Sequence, residues 1–250
     1  MAASSEAAVP RYVGAAFAAQ FSTSFVAGIL SLSILSGDVG EVLSAAGTDA
    51  TRLRLVVLLE LFTSIGIVAL TSLLYVALRD SVRWVATVAC ACWLAEATVL
   101  AVSTLGLYAL LDLGRTSSGS GAAVPPPDAA VGQLAVGLHE HAGDIAMLLF
   151  SAGALLWYSL FVRTRFVPRW LGLCGLASVV PVAIGTLLNV WGMQPSMLLY
   201  AAYVPYELVV GIWLLAKGSS RWPQTLDTTT SVVVLEGHGS AAEAAAGLPG

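Results

Sequence analysis

Residues 53–78 read LRLVVLLELFTSIGIVALTSLLYVAL, with one arginine near the start and one glutamate, Glu60, a quarter of the way in. At a rise of about 1.5 Å per residue such a run is long enough as a helix to cross the roughly 30 Å hydrocarbon layer of a bilayer. Its apolar residues form one unbroken block, with neither the alternation of a strand nor the stripe of a surface helix. That block predicts a transmembrane helix.

Five more blocks of the same kind lie along the chain. The predicted spans are 12–36, 53–78, 84–111, 135–162, 169–191 and 196–216, with the fourth starting anywhere between Val131 and His139. Of the 250 residues, 58% are hydrophobic and 10% charged, and mean hydropathy is +0.85. Soluble domains carry about 25% charged residues, so the expected class is an all-α polytopic membrane protein, a bundle of six transmembrane helices. Ten arginines against one lysine, with abundant Ala, Gly and Val, hint at a bacterial source of high GC content.

The segments between spans differ in kind. Residues 1–11 form a short polar lead, and the first apolar block, Tyr12 to Ser36, is too long for a typical cleaved signal peptide. Residues 37–51 read as a loop, and Arg79 to Arg83 as a tight turn. The stretch 112–130, with its Ser/Gly cluster and Pro125-Pro126-Pro127, reads as an exposed, mobile loop. Residues 219–250 read as a disordered cytoplasmic tail. Cysteines 90, 92 and 174 lie in apolar spans, and Cys90 and Cys92 point about 200° apart on a helix, so no disulfide framework is implied.

Orientation follows from the basic residues. A cytoplasmic N-terminus puts Arg11, Arg79, Arg83, Arg163, Arg165, Arg169, Lys217 and Arg221 inside and only Arg52, Arg54 and Arg115 outside. The positive-inside rule therefore predicts both termini in the cytoplasm, in the inner membrane of a bacterium.

Four acids interrupt the spans: Glu60, Glu96, Asp144 and Glu207. A charge at the centre of a membrane helix costs about 3 kcal/mol on insertion scales, so the four are expected to face one another or a polar cavity. Counted along their helices, all lie at the midplane or in the outer half. They are the candidate catalytic groups, as proton donors or carriers, or ligands for a cation. Tyr200 and Tyr203 precede Glu207 by seven and four residues, and Ser64 follows Glu60 by four, so each shares a face with its acid. With Trp93 and Asn189 these form the expected ligand-binding set. His139, His141 and Asp144 are a weak metal candidate without an established zinc pattern; otherwise no metal and no cofactor are implied, and no second span offers a histidine for a haem pair. Trp84, Trp157, Tyr158 and Trp170 are expected in the interfacial belts.

The stretches FVAGILSL (25–32), RLRLVVLLELF (52–62), LAEATVLAVS (94–103), GDIAMLLFSAGALLWYSLFVRTRFVPRWLGLCGL (143–176) and YELVVGIWLLAKG (206–218) resemble, in this order, the bacterial membrane family known as domain of unknown function 4386. The resemblance implies that acids at Glu60, Glu96, Asp144 and Glu207, and the turn Arg163 to Leu171, belong to the family pattern; it brings no activity. The residues leave three classes open. One is a membrane-embedded protein binding or acting on a lipophilic small molecule, with acid-type catalysis as its enzymatic form. The others are a proton- or cation-coupled small transporter and a non-catalytic sensor or partner subunit. The expected partners are the lipid bilayer and that small molecule, with no nucleic acid.

Overall fold

The computed structural model describes residues 9–118 and 125–219. The lead before Val9, the Ser/Gly stretch 119–124 and the tail from 220 onward lie outside the described residues. Among the described residues there is no strand. The helices are α1 (Val9–Leu35), α2 (Val39–Thr48), α3 (Ala50–Leu78), α4 (Arg83–Ser118), α5 (Pro126–Thr164), α6 (Arg169–Val190), α7 (Leu198–Ala201) and α8 (Tyr203–Lys217). Five of them, with α7 and α8 together as the sixth, are long and apolar enough to cross a membrane. The protein is an all-α, six-helix membrane bundle.

The helices pack in chain order, α1 on α3, then α3 on α4, α4 on α5 and α5 on α6, and α8 returns to pack on α1. A thinner contact between α6 and α8 closes the ring. Lipid tails are as apolar as leucine, so the bundle is held by close packing and interhelical polar contacts, and small residues sit where backbones meet. A Cβ on Gly14 would come within 2.6 Å of the Leu215 backbone nitrogen, which is why α1 and α8 can touch. On Gly106 it would lie 2.7 Å from the Ala135 carbonyl oxygen, where α4 crosses α5. Outward, Leu58, Phe62 and Ile65 on α3 and Val102 and Leu105 on α4 each expose more than half of their surface, as a lipid-facing wall requires.

Inside, an aromatic column fills the half of the bundle nearer the α3–α4 turn. Trp93 stacks on Phe150 with ring centroids 6.1 Å apart and meets Phe17 edge-on at 6.4 Å. Tyr158 lies against Phe161 and Tyr206 at 5.7 and 4.9 Å. Trp157 and Tyr158 are fully buried, which corrects their assignment to an interfacial belt: their faces of α5 turn toward α4, α6 and α8, not toward lipid. Trp84 and Trp170, at the starts of α4 and α6, are exposed.

Two segments read as loops are helical. Within 37–51, Asp38 accepts hydrogen bonds from the backbone N–H groups of Gly40 and Glu41 at 2.6 and 3.0 Å and starts α2. The helix then buries Val42, Leu43 and Ala46 over the ends of α3, α4 and α5, in a cluster with Leu53, Val56 and Leu107. Within 112–130, α4 continues to Ser118, with Arg115 paired to Asp112 at 3.2 Å, and α5 begins at Pro126. Prolines are tolerated in a first helical turn because their missing N–H would have no partner there, so the triple proline opens a helix instead of extending the loop.

Candidate functional site

The polar face of α1 is built by spacing. Gln20, Ser24, Gly28 and Ser31 follow one another at steps of four, four and three, and so line one side of the helix. That side looks onto a chamber of about 400 Å³ walled also by Glu60 and Thr63 of α3, Ser103 of α4 and His139 and Glu140 of α5. A second chamber of about 180 Å³ adjoins it, deeper in the bundle. Ser24, Thr63, Leu100 and Gly143 wall both. The inner one adds Gln20, Glu96, Phe150, Tyr203 and Glu207.

Glu60 is buried, with Oε1 3.5 Å from Nε2 of His139, while Nδ1 of that ring lies 3.4 Å from the Ser103 carbonyl oxygen. The imidazole thus bridges α3 and α4 from its seat on α5. Thr63 Oγ1 is 2.9 Å from Thr23 Oγ1 and ties α3 to α1. In the inner chamber Glu96 and Glu207 are both buried and share the lining with Tyr203. The Tyr203 ring stands edge-on to Phe150 at 4.8 Å. Among the described residues, Gln20 Oε1, Glu60 Oε2 and Glu96 Oε2 have no hydrogen-bond partner. A buried polar atom left in that state costs about 1–3 kcal/mol, so the chambers hold unmet hydrogen-bonding capacity.

Three of the four acids expected to converge, Glu60, Glu96 and Glu207, line these two chambers. Asp144 lines neither. It follows Gly143 by one residue, hence by about 100° of helix rotation, and its Oδ1 accepts from Asn189 Nδ2 at 2.6 Å. Asp144 and Asn189 therefore clip α5 to α6, away from the chambers. Tyr203 lines the inner chamber, but Tyr200 lies against α6, where a Cβ on Gly185 would be 3.2 Å from its hydroxyl. The turn at Ala202 separates the two phenols. Ser64 Oγ donates to the Glu60 carbonyl oxygen at 3.0 Å and borders neither chamber. Trp93 Nε1 donates to the Phe150 carbonyl oxygen at 3.1 Å, so Trp93 backs the inner wall instead of forming it.

The weak metal candidate separates. His139 faces Glu60, whereas the His141 side chain is 82% exposed and only 4.0 Å from Asp144 at its closest. Two residues along a helix place the two rings on opposite sides. Among the described residues no group of three ligating side chains could hold a metal ion. Gln20, Ser24 and Ser31 were not anticipated as site residues; the polar residues at helical steps within the otherwise apolar 12–36 were the signal for them.

Comparison with curated proteins and with solved structures finds no match. The model of the family described as Domain of unknown function (DUF4386) matches residues 12–218, from the first turns of α1 to the end of α8. The chain belongs to that family.

Proposed function

We propose that the two chambers bind a lipophilic small molecule whose polar head carries N–H or O–H donors. The carrying observation is the set of acceptors without a partner among the described residues, Gln20 Oε1, Glu60 Oε2 and Glu96 Oε2, around chambers that adjoin one another inside a lipid-facing bundle. A donor head answers these atoms, and Phe150, Leu100 and Met147 offer apolar wall to the rest of the molecule. Entry is sideways from the bilayer, past Gly28 of α1, which is exposed and has no neighbour within 4 Å of the place a Cβ would take. The protein works in the cytoplasmic membrane of a bacterium, with the outer chamber toward the non-cytoplasmic face. Only in their protonated form could the same carboxyls hand a proton to a ligand, so binding is the property to test first.

The test is native mass spectrometry of protein purified in mild detergent, for the wild type, Glu60→Gln, Glu207→Gln and Asp144→Asn. The wild type and Asp144→Asn should carry one tightly held lipophilic compound, and the two glutamate variants should lose it. A wild type that carries nothing beyond what Glu60→Gln carries overturns the reading.

A further inference from the structure

On the outside of the bundle, at the edge nearest α2, a groove of about 280 Å³ runs between α3 and α4. It is independent of the chambers and shares no residue with them. Arg54, Tyr108, Asp112 and Arg115 supply its polar atoms, and Val57, Leu58 and Leu111 its apolar surface. We propose that this groove seats the phosphoethanolamine head of a membrane phospholipid.

The charges are set for a zwitterion. Arg115 Nη1 lies 3.2 Å from Asp112 Oδ1, the one contact of its guanidinium fork to a carboxylate among the described residues. Arg54 is exposed and, among the described residues, has no carboxylate within 4.0 Å, unlike Arg52, which pairs with Asp49 at 2.9 Å. Two guanidiniums from two helices therefore line one groove with, among the described residues, a single carboxylate. A phosphodiester takes the arginine donors in bidentate fashion, and the carboxylate takes an ammonium. Choline has no N–H to give Asp112, and a glycerol head brings hydroxyls without the charge.

The surface beyond the groove continues as lipid would. From Leu58, Phe62 and Ile65 descend α3 at steps of four and three, and from Tyr108, Leu105 and Val102 descend α4 at steps of three, all strongly exposed. The two rows form an apolar track for an acyl chain, headed by a phenol at the level where tyrosines sit in membranes.

The experiment reconstitutes the protein in nanodiscs of equal phosphatidylethanolamine, phosphatidylglycerol and phosphatidylcholine, then extracts it in mild detergent and weighs the retained lipid by native mass spectrometry. The wild type and Arg52→Ala should retain phosphatidylethanolamine in preference to the other two. Arg54→Ala combined with Arg115→Ala should lower that retention roughly tenfold, the loss of a charge-assisted contact or two. Arg54→Lys, which keeps the charge without the fork, should fall between. Asp112→Asn should bring ethanolamine and glycerol heads to parity. Equal lipid profiles in wild type and the double arginine variant overturn the proposal. So does full displacement by millimolar inorganic phosphate or free phosphoethanolamine, because the site would then read a soluble phosphate and not a lipid.

Discussion

A methyl group added at Gly153 would lie 2.6 Å from the indole nitrogen of Trp93, against a ring already wedged between Phe150, Phe17 and Trp157. The indole has no room to move, so Gly153→Ala should cost about 1–3 kcal/mol, in the range of overpacked cores. It should be read as a lower midpoint of thermal unfolding in detergent. Trp93→Phe, which removes only the donation to the Phe150 carbonyl and some volume, should cost about 1 kcal/mol from the lost hydrogen bond, plus a cavity contribution. A Gly153→Ala variant as stable as the wild type would mean that the indole is not fixed there. The residue scale also shows what a sequence can say about membrane acids. Depth was legible, because it follows from counting along a helix, whereas the expectation that Glu60, Glu96 and Glu207 turn inward came from the cost of a charge in lipid; all three are buried. Azimuth was not legible for Asp144, since only packing decides which of two neighbouring positions, Gly143 or Asp144, faces the interior.

Helix α2 depends on one side chain at its start. Asp38 satisfies two of the backbone donors that a helix N-terminus leaves free, so Asp38→Ala should weaken α2 by about 1 kcal/mol. Hydrogen exchange should report it as faster exchange of amides 39–48 with those of α3 unchanged. Slower or equal exchange would show that burial of Val42, Leu43 and Ala46 alone holds the helix. The signals for α2 were present as an Asp followed by apolar residues at steps of three and four, but the ten-residue segment is too short to span a bilayer and sits between charges that suggest a loop. The triple proline misled in the same way, since proline ends one helix and opens another with equal ease. The break at Ala202 has its signal in Pro205, which has no N–H to give the Ala201 carbonyl, and it falls between Tyr200 and Tyr203.

At the scale of the molecule, six spans were legible because crossing a bilayer demands long apolar blocks, whereas the ring order and the chambers were not, because lipid-facing and helix-facing leucines look alike. The direction of the ring in the membrane rests on charge. The described residues put Arg11, Arg79, Arg83, Arg163, Arg165, Arg169 and Lys217 at one end of the bundle and Arg52, Arg54 and Arg115 at the other, alongside α2. The richer end is expected in the cytoplasm, and α2 and the outer chamber in the opposite half of the membrane. Two exposed serines allow a direct reading, Ser44 on α2 and Ser81 in the turn between α3 and α4. With Cys90, Cys92 and Cys174 replaced by alanine, Ser44→Cys should react with a membrane-impermeant maleimide on intact cells. Ser81→Cys should react only after the cells are opened. The reverse pattern would place the outer chamber in the cytoplasmic half, and any ligand would then have to come from the inner leaflet.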